Sequence, residues 1–374
     1  MSANAPQRRF KTCGIHFIQL ASQGQGLEEE FKAYVQSYGL QDDLCVEHGP
    51  DYLGFYLSDA FQERYAPAWD TTRLYEKLHL QKTARDLERE ILIAMLLATI
   101  PFAFPSLAEL QSAIRIRLYV VDAGYRAALN FDTDAIERPE DCWHYDEEAG
   151  FLLNDGVPII DALVKATQPQ DAEHAYSFSC YRATEYVILL SIAREIQSTN
   201  PGLLKLLEER SAKRAIRSGE FHEVFLREYG SMEEPFPMKY YVPGDRVWFR
   251  NPDGISSDIP GYEGSWVIYL GRNLFTNFWK RDYPFTLETK CVEVYHWKDG
   301  VQRNTKDEPV MNESLVESCV KATLQDPQQY QTVLHRMMRY RDPKGVYGAG
   351  GCIDTSRESP RWVRPETTDI KIPT

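Results

Sequence analysis

The stretch YSFSCYRATEYVILLSIAREI, Tyr176 to Ile196, constrains the fold more than any other part of the chain. Val187, Ile188, Leu189, Leu190, Ile192 and Ala193 put apolar side chains on too many faces for a surface helix, so this helix must be buried on most sides. Ser177 and Ser179 are good N-cap residues and mark its start. Cys180 then falls in the first turn, where unpaired backbone N–H groups and the positive end of the helix dipole favour an anion. A free thiol titrates near ~8.5, and a helix N-terminus shifts it toward the nucleophilic thiolate. The bland alternative is a cysteine acting as a small buried hydrophobe.

Such a helix needs a large core around it, and 374 residues with 43% apolar and 26% charged side chains can supply one, or two domains. The formal net charge of −13 argues against nucleic acid or an anionic membrane as the main partner, because phosphate binding needs clustered Lys and Arg. The longest apolar run, ILIAMLLATIPFAF from Ile91, is too short to span a bilayer and is broken by Pro101. The N-terminal MSANAPQRRFKTCG has no apolar signal-peptide core, so a cytoplasmic location is expected. Seven cysteines without a CxxC pair read as reduced thiols rather than a disulfide framework or a structural zinc site.

The order of elements predicts an α+β fold. LEEEFKAYVQSYG (Leu27 to Gly39) reads as a short helix, and TARDLEREILIAMLLAT and PSLAELQSAIRIRLYVVDAGYRAAL as longer ones, with Ser106 and Glu109 forming a capping box behind Pro105. IIDALVKAT leads to the Cys180 helix, and a charged helical stretch from Pro201 to Gly230 follows it. Three strands come next, in MKYYVPGDRVWFRNPD, GSWVIYLGRNLFTNFW and KCVEVYHWKDG. Two more helices, NESLVESCVKATL and PQQYQTVLHRMMRYR, precede a polar tail. The expected domains are an N-terminal α/β extension (1–84), a main domain (85–340) and the polar C-terminal tail (341–374). KGVYGAGG (Lys344 to Gly351) has the spacing of neither a P-loop nor a dinucleotide fingerprint and reads as a turn. Cys142 and His144 offer two metal ligands where a site needs three, and read as structural.

A buried helix with a cysteine at its N-terminus, packed on an antiparallel sheet, is the core of papain-like cysteine enzymes, in which the partner base comes from a strand. VPGDRVWFRNP (Val242 to Pro252) followed by EGSWVIYLG (Glu263 to Gly271) resembles the strand pair of NlpC-type cysteine peptidases. It resembles more closely that of the bacterial spore-coat type of protein-glutamine γ-glutamyltransferase. FPSLAELQSAIRIRL, PIIDAL and YSFSCYRATEYVILL are similar to further segments of that transglutaminase family, in the same order over roughly residues 85–340. The resemblance implies a papain-like (NlpC-type) core with additional helices, and protein substrates that offer glutamine and lysine side chains. It also implies Cys180 as the nucleophile, which forms a thioester with a glutamine side chain and releases ammonia. No cofactor and no metal are implied.

At the other family positions this chain departs from the pattern. A His in the peptidases, or a Glu in the transglutaminases, corresponds here to Ser265. The carboxylate before the cysteine is replaced by Ser179, and a later His falls at Asn277 or Phe278. A neutral hydroxyl cannot serve as the base, so Ser265 is expected to orient a group. Glu263, two residues earlier, is expected to face the same way if the strand extends to it, which makes it the first substitute base. Glu185 lies about 500° round the helix from Cys180 and so points away. His174 and His296 are further candidates. Three functions remain: a transglutaminase or glutamine deamidase, a catalytically weak binding protein that keeps the fold and the cysteine, and a papain-like peptidase.

Overall fold

The computed structural model describes residues 13–18, 24–131, 137–169, 175–215, 218–342 and 350–373. Its centre is the helix Cys180–Thr199, which packs against the helices Leu107–Arg126 and Ile159–Thr167 and the strand Gly264–Gly271. Val187, Ile188, Leu190, Ile192 and Ala193 are wholly buried, consistent with an apolar pattern that leaves no wet face. Ser179 is the N-cap, its Oγ accepting from the Arg182 N–H at 3.3 Å.

The helix lies against a five-stranded antiparallel sheet. Its strands run in the order Leu274–Phe275, Gly264–Gly271, Arg246–Arg250, Arg357–Pro360 and Leu226–Tyr229. Trp248 pairs with Trp266 and Phe249 with Ser265, which fixes the register of the two central strands. Gly264 has no alternative, because a Cβ there would lie 2.2 Å from Trp248 Nε1 and 2.6 Å from the Phe249 carbonyl oxygen.

Several expectations from the sequence are corrected. KCVEVYHWKDG is not a strand: residues Leu287–His296 form a helix opened by a capping box between Thr286 and Thr289. Leu287, Lys290, Cys291 and Val294 are its buried face, and a short run in which helical and alternating patterns coincide cannot be resolved by periodicity alone. The charged stretch after Pro201 ends in the strand Leu226–Tyr229 rather than in helix. Half of the expected capping box at Ser106 forms, with Ser106 Oγ accepting from the Glu109 N–H. The Glu109 carboxylate turns instead to the end of the chain and accepts from the Val363 and Arg364 N–H groups at 2.7 and 3.2 Å.

The residues expected as a polar tail therefore contribute a sheet strand, Arg357–Pro360, and two core side chains, Val363 and Ile370. The N-terminal strands Ile15–Ile18, Leu44–His48 and Tyr52–Leu57 make a second sheet whose fourth strand, Phe102–Phe104, lies beyond residue 84. Phe17, Phe31 and Phe55 share one core with Ile91, Leu92, Leu110 and Ile114. KGVYGAGG falls mostly outside the described residues. Among those described, no helix is long and apolar enough to cross a membrane.

Candidate active site

Cys180 is the first residue of its helix and lines a pocket of about 450 Å³. Ser265 and Asn277 line the same pocket, so three of the residues singled out from the sequence come together there. Phe131, Tyr262, Trp279 and Trp297 form an aromatic side of it, in edge or tilted contacts with ring centroids 5.2 to 6.0 Å apart. The helix Glu313–Gln325 lines it as well, with Glu313 accepting from the Tyr262 hydroxyl at 2.8 Å.

The cysteine sulfur is under opposing influences. Burial raises the thiol above its ordinary value, and this is the largest effect. Against it act hydrogen bonds from the backbone N–H groups of Trp266 and Tyr181, and the positive charges of Lys290 and Arg246. The Arg246 guanidinium is fully buried and lies 4.3 Å from the Tyr181 ring and 4.0 Å from the Trp266 ring, the side chains of the two residues whose N–H groups address the sulfur. Its Nε donates to Thr184 Oγ1, four residues along the cysteine helix, at 2.8 Å. Its Nη1 donates to Glu358 Oε2 at 2.6 Å, and Glu358 Oε1 lies 2.9 Å from His222 Nδ1.

The remaining sequence candidates lie elsewhere. Glu263 is exposed and does not line the pocket, because the strand begins only at Gly264 and the alternation that would turn Glu263 beside Ser265 does not reach it. Glu185 pairs with Arg182 at 2.7 Å on another face of the helix, in a separate pocket, as its angular position requires. Phe278 is a core residue. His296 ends a helix rather than sitting in a strand; its Nδ1 lies 2.7 Å from Asp299 and its Nε2 2.8 Å from Thr323. His296, Asp299 and Cys319 bring three metal-ligating atoms within 4.8 Å of one another, but both ring nitrogens already have protein partners and Asp299 also pairs with Lys298. Cys142 is buried and His144 meets Asn154. His174 lies outside the described residues.

Sequence reasoning missed Lys290 and Glu293, which line the Cys180 pocket from the helix that was expected to be a strand. Read with helical periodicity, that segment puts Lys290 beside Cys291 on the apolar face, and a lysine there is the signal that was available.

A family model described as protein-glutamine gamma-glutamyltransferase matches residues 70–371. Among solved structures, a transglutaminase from Geobacillus stearothermophilus (without C-terminal extension) is 18% identical, with 58% of this chain and 98% of that chain covered and a TM-score of 0.38. Comparison with curated proteins finds no match.

Proposed function

The chain belongs to the protein-glutamine gamma-glutamyltransferase family, and from that premise we propose that it is an acyltransferase whose nucleophile is Cys180, acting on protein glutamine side chains from a papain-like core. The observation that carries this reading is the position of Cys180. It is the first residue of a buried helix and lines a pocket with Ser265 and Asn277, and the Trp266 and Tyr181 amides with the Lys290 and Arg246 charges act to hold its thiol down against burial. A lone buried cysteine has no need of such a setting.

In the proposed reaction, the Cys180 thiolate attacks the δ-carbon of a glutamine side chain. The carboxamide C–N bond breaks, the nitrogen takes up the proton given up by the Cys180 thiol and leaves as ammonia, and a thioester remains. A lysine ε-amine then attacks the thioester carbonyl and the C–S bond breaks; the proton lost by the amine returns to the Cys180 sulfur, and an isopeptide bond remains. If water attacks instead, the product is glutamate. The N–H of Cys180 itself, at the head of the helix, is the donor we assign to the oxyanion, since the Arg182 N–H is occupied by Ser179 Oγ. Ser265 orients a bound group without taking its proton. The aromatic side of the pocket excludes water from the thioester, which favours an amine acceptor over hydrolysis.

A second reading, a binding protein that keeps the fold and little activity, has one observation in its favour. Burial raises the Cys180 thiol, opposite to the direction a fully activated nucleophile needs.

Incubation with a glutamine-rich protein and a fluorescent primary amine separates the two. Ammonia release and amine incorporation by the native protein, both lost in Cys180→Ala, support the enzyme. Ammonia release without incorporation assigns deamidation. Neither product from a folded protein between pH 6 and 9 assigns the binding protein.

A further inference from the structure

Among the described residues that line the Cys180 pocket, Lys290 is the cation that is buried. Its side chain is 4% exposed; Nζ lies 4.1 Å from the Phe285 ring centroid and 5.8 Å from that of Trp297. Glu293, one turn along the same helix, accepts from Nζ at 2.5 Å, but is 26% exposed. An i,i+3 pair that served only the helix would sit on its wet face, where neither partner loses its hydration. Here the lysine is the desolvated half, and a buried ammonium is costly unless further negative charge meets it. The carboxylate, being the wetter half, is the more strongly screened, so the pair presents a net positive field to the pocket interior.

We propose that Lys290 is a positioning residue for Cys180: its buried ammonium stabilises the sulfur as thiolate beside Ser179 and Ser265, neither of which can accept its proton. The proposal rests on Cys180 being the reactive thiol, and it assigns to a fixed charge the part that a base on the neighbouring strand would otherwise play. The direction of the Lys290 effect on the sulfur agrees with this geometry. The other charged groups around the site divide evenly. Arg246 stands behind Tyr181 and Trp266 and is compensated by Glu358, while Lys280 and Glu317, both exposed and both lining the pocket, pair with each other. Glu313 is engaged by Tyr262, and Lys321 lines the pocket from the same helix.

The test is the pH dependence of iodoacetamide alkylation at Cys180, read by peptide mass spectrometry. It is run on the native protein, Lys290→Met, Lys290→Arg and Glu293→Gln, each checked for native near-ultraviolet circular dichroism. Lys290→Met is expected to move the inflection up by about one unit and slow alkylation at pH 7 about tenfold. Lys290→Arg is expected to keep the native inflection within about 0.3 unit. Glu293→Gln removes the partly screened negative charge and is expected to move the inflection down. An unchanged inflection in folded Lys290→Met overturns the proposal, as does an upward shift in Glu293→Gln; the latter variant decides alone if Lys290→Met does not fold. Alkylation requires no acyl transfer. A shifted inflection in a protein that releases no ammonia therefore leaves Lys290 assigned and the enzymatic reading refuted, and an active enzyme with no shift does the reverse.

Discussion

Arg246 and Glu358 form a buried ion pair, Nη1 to Oε2 at 2.6 Å, that ties the strand Arg357–Pro360 to the rear of the cysteine site. The arginine is fully buried and the glutamate side chain 8% exposed. Removing one partner leaves a buried charge uncompensated, which typically costs about 3–5 kcal/mol, whereas replacing both by apolar residues costs far less. In denaturant titrations, Glu358→Gln is therefore expected to lose several times more stability than the double variant Arg246→Met/Glu358→Leu. A single variant no worse than the double would show that the pair is not desolvated.

The same carboxylate gives the protein a dependence on pH. His222 hydrogen-bonds to Glu358, and this raises the imidazole above its ordinary value. A group raised in the folded state contributes stability that is fully present below its unfolded value, near ~6.5, and is lost as pH rises through the folded value. The melting temperature of the native protein should thus fall between neutral and mildly alkaline pH. His222→Gln should flatten that decline, measured by scanning calorimetry at fixed ionic strength.

A second decline is expected at lower pH, from Glu90. Burial pushes its carboxyl up to about 7, against the N–H of Arg272, which donates to Oε1 at 2.9 Å. The folded protein then holds a proton that the unfolded chain has released, so stability falls as pH rises from the ordinary carboxyl value toward 7. Glu90→Gln keeps an acceptor for Arg272 and never ionises. At pH 8 it should be the more stable protein, by at most about 3 kcal/mol, and at pH 4 the two should converge. A native protein that is more stable than Glu90→Gln at pH 8 would show that Glu90 carries its charge without penalty.

What the sequence revealed follows from the range of the interactions involved. The cysteine helix was readable because its signals are local: a serine cap, then apolar residues on all faces. The central strand pair was readable because Gly, Pro and Asp turn residues bound its strands. The strand Arg357–Pro360 was not, since Arg357, Glu358 and Ser359 are polar and the burial of the strand depends on Glu358 meeting Arg246, 112 residues away. Lys290 was hidden by the same limit, compounded by a helix read as a strand. Cys180 and Ser265, which line one pocket, were singled out through the helix head and the strand pair. Glu263 was expected beside Ser265, but the strand begins at Gly264 and Glu263 is exposed.

The central claim is that Cys180 carries the acyl group, and intact-protein mass spectrometry on acid-quenched turnover tests it most directly. With a short glutamine-donor peptide and no amine, the native protein is expected to gain the mass of the peptide minus ammonia, localised to Cys180 and removed by hydroxylamine. Cys180→Ala should gain nothing. Ammonia released at the native rate by Cys180→Ala, or an adduct on any other residue, would contradict the assignment.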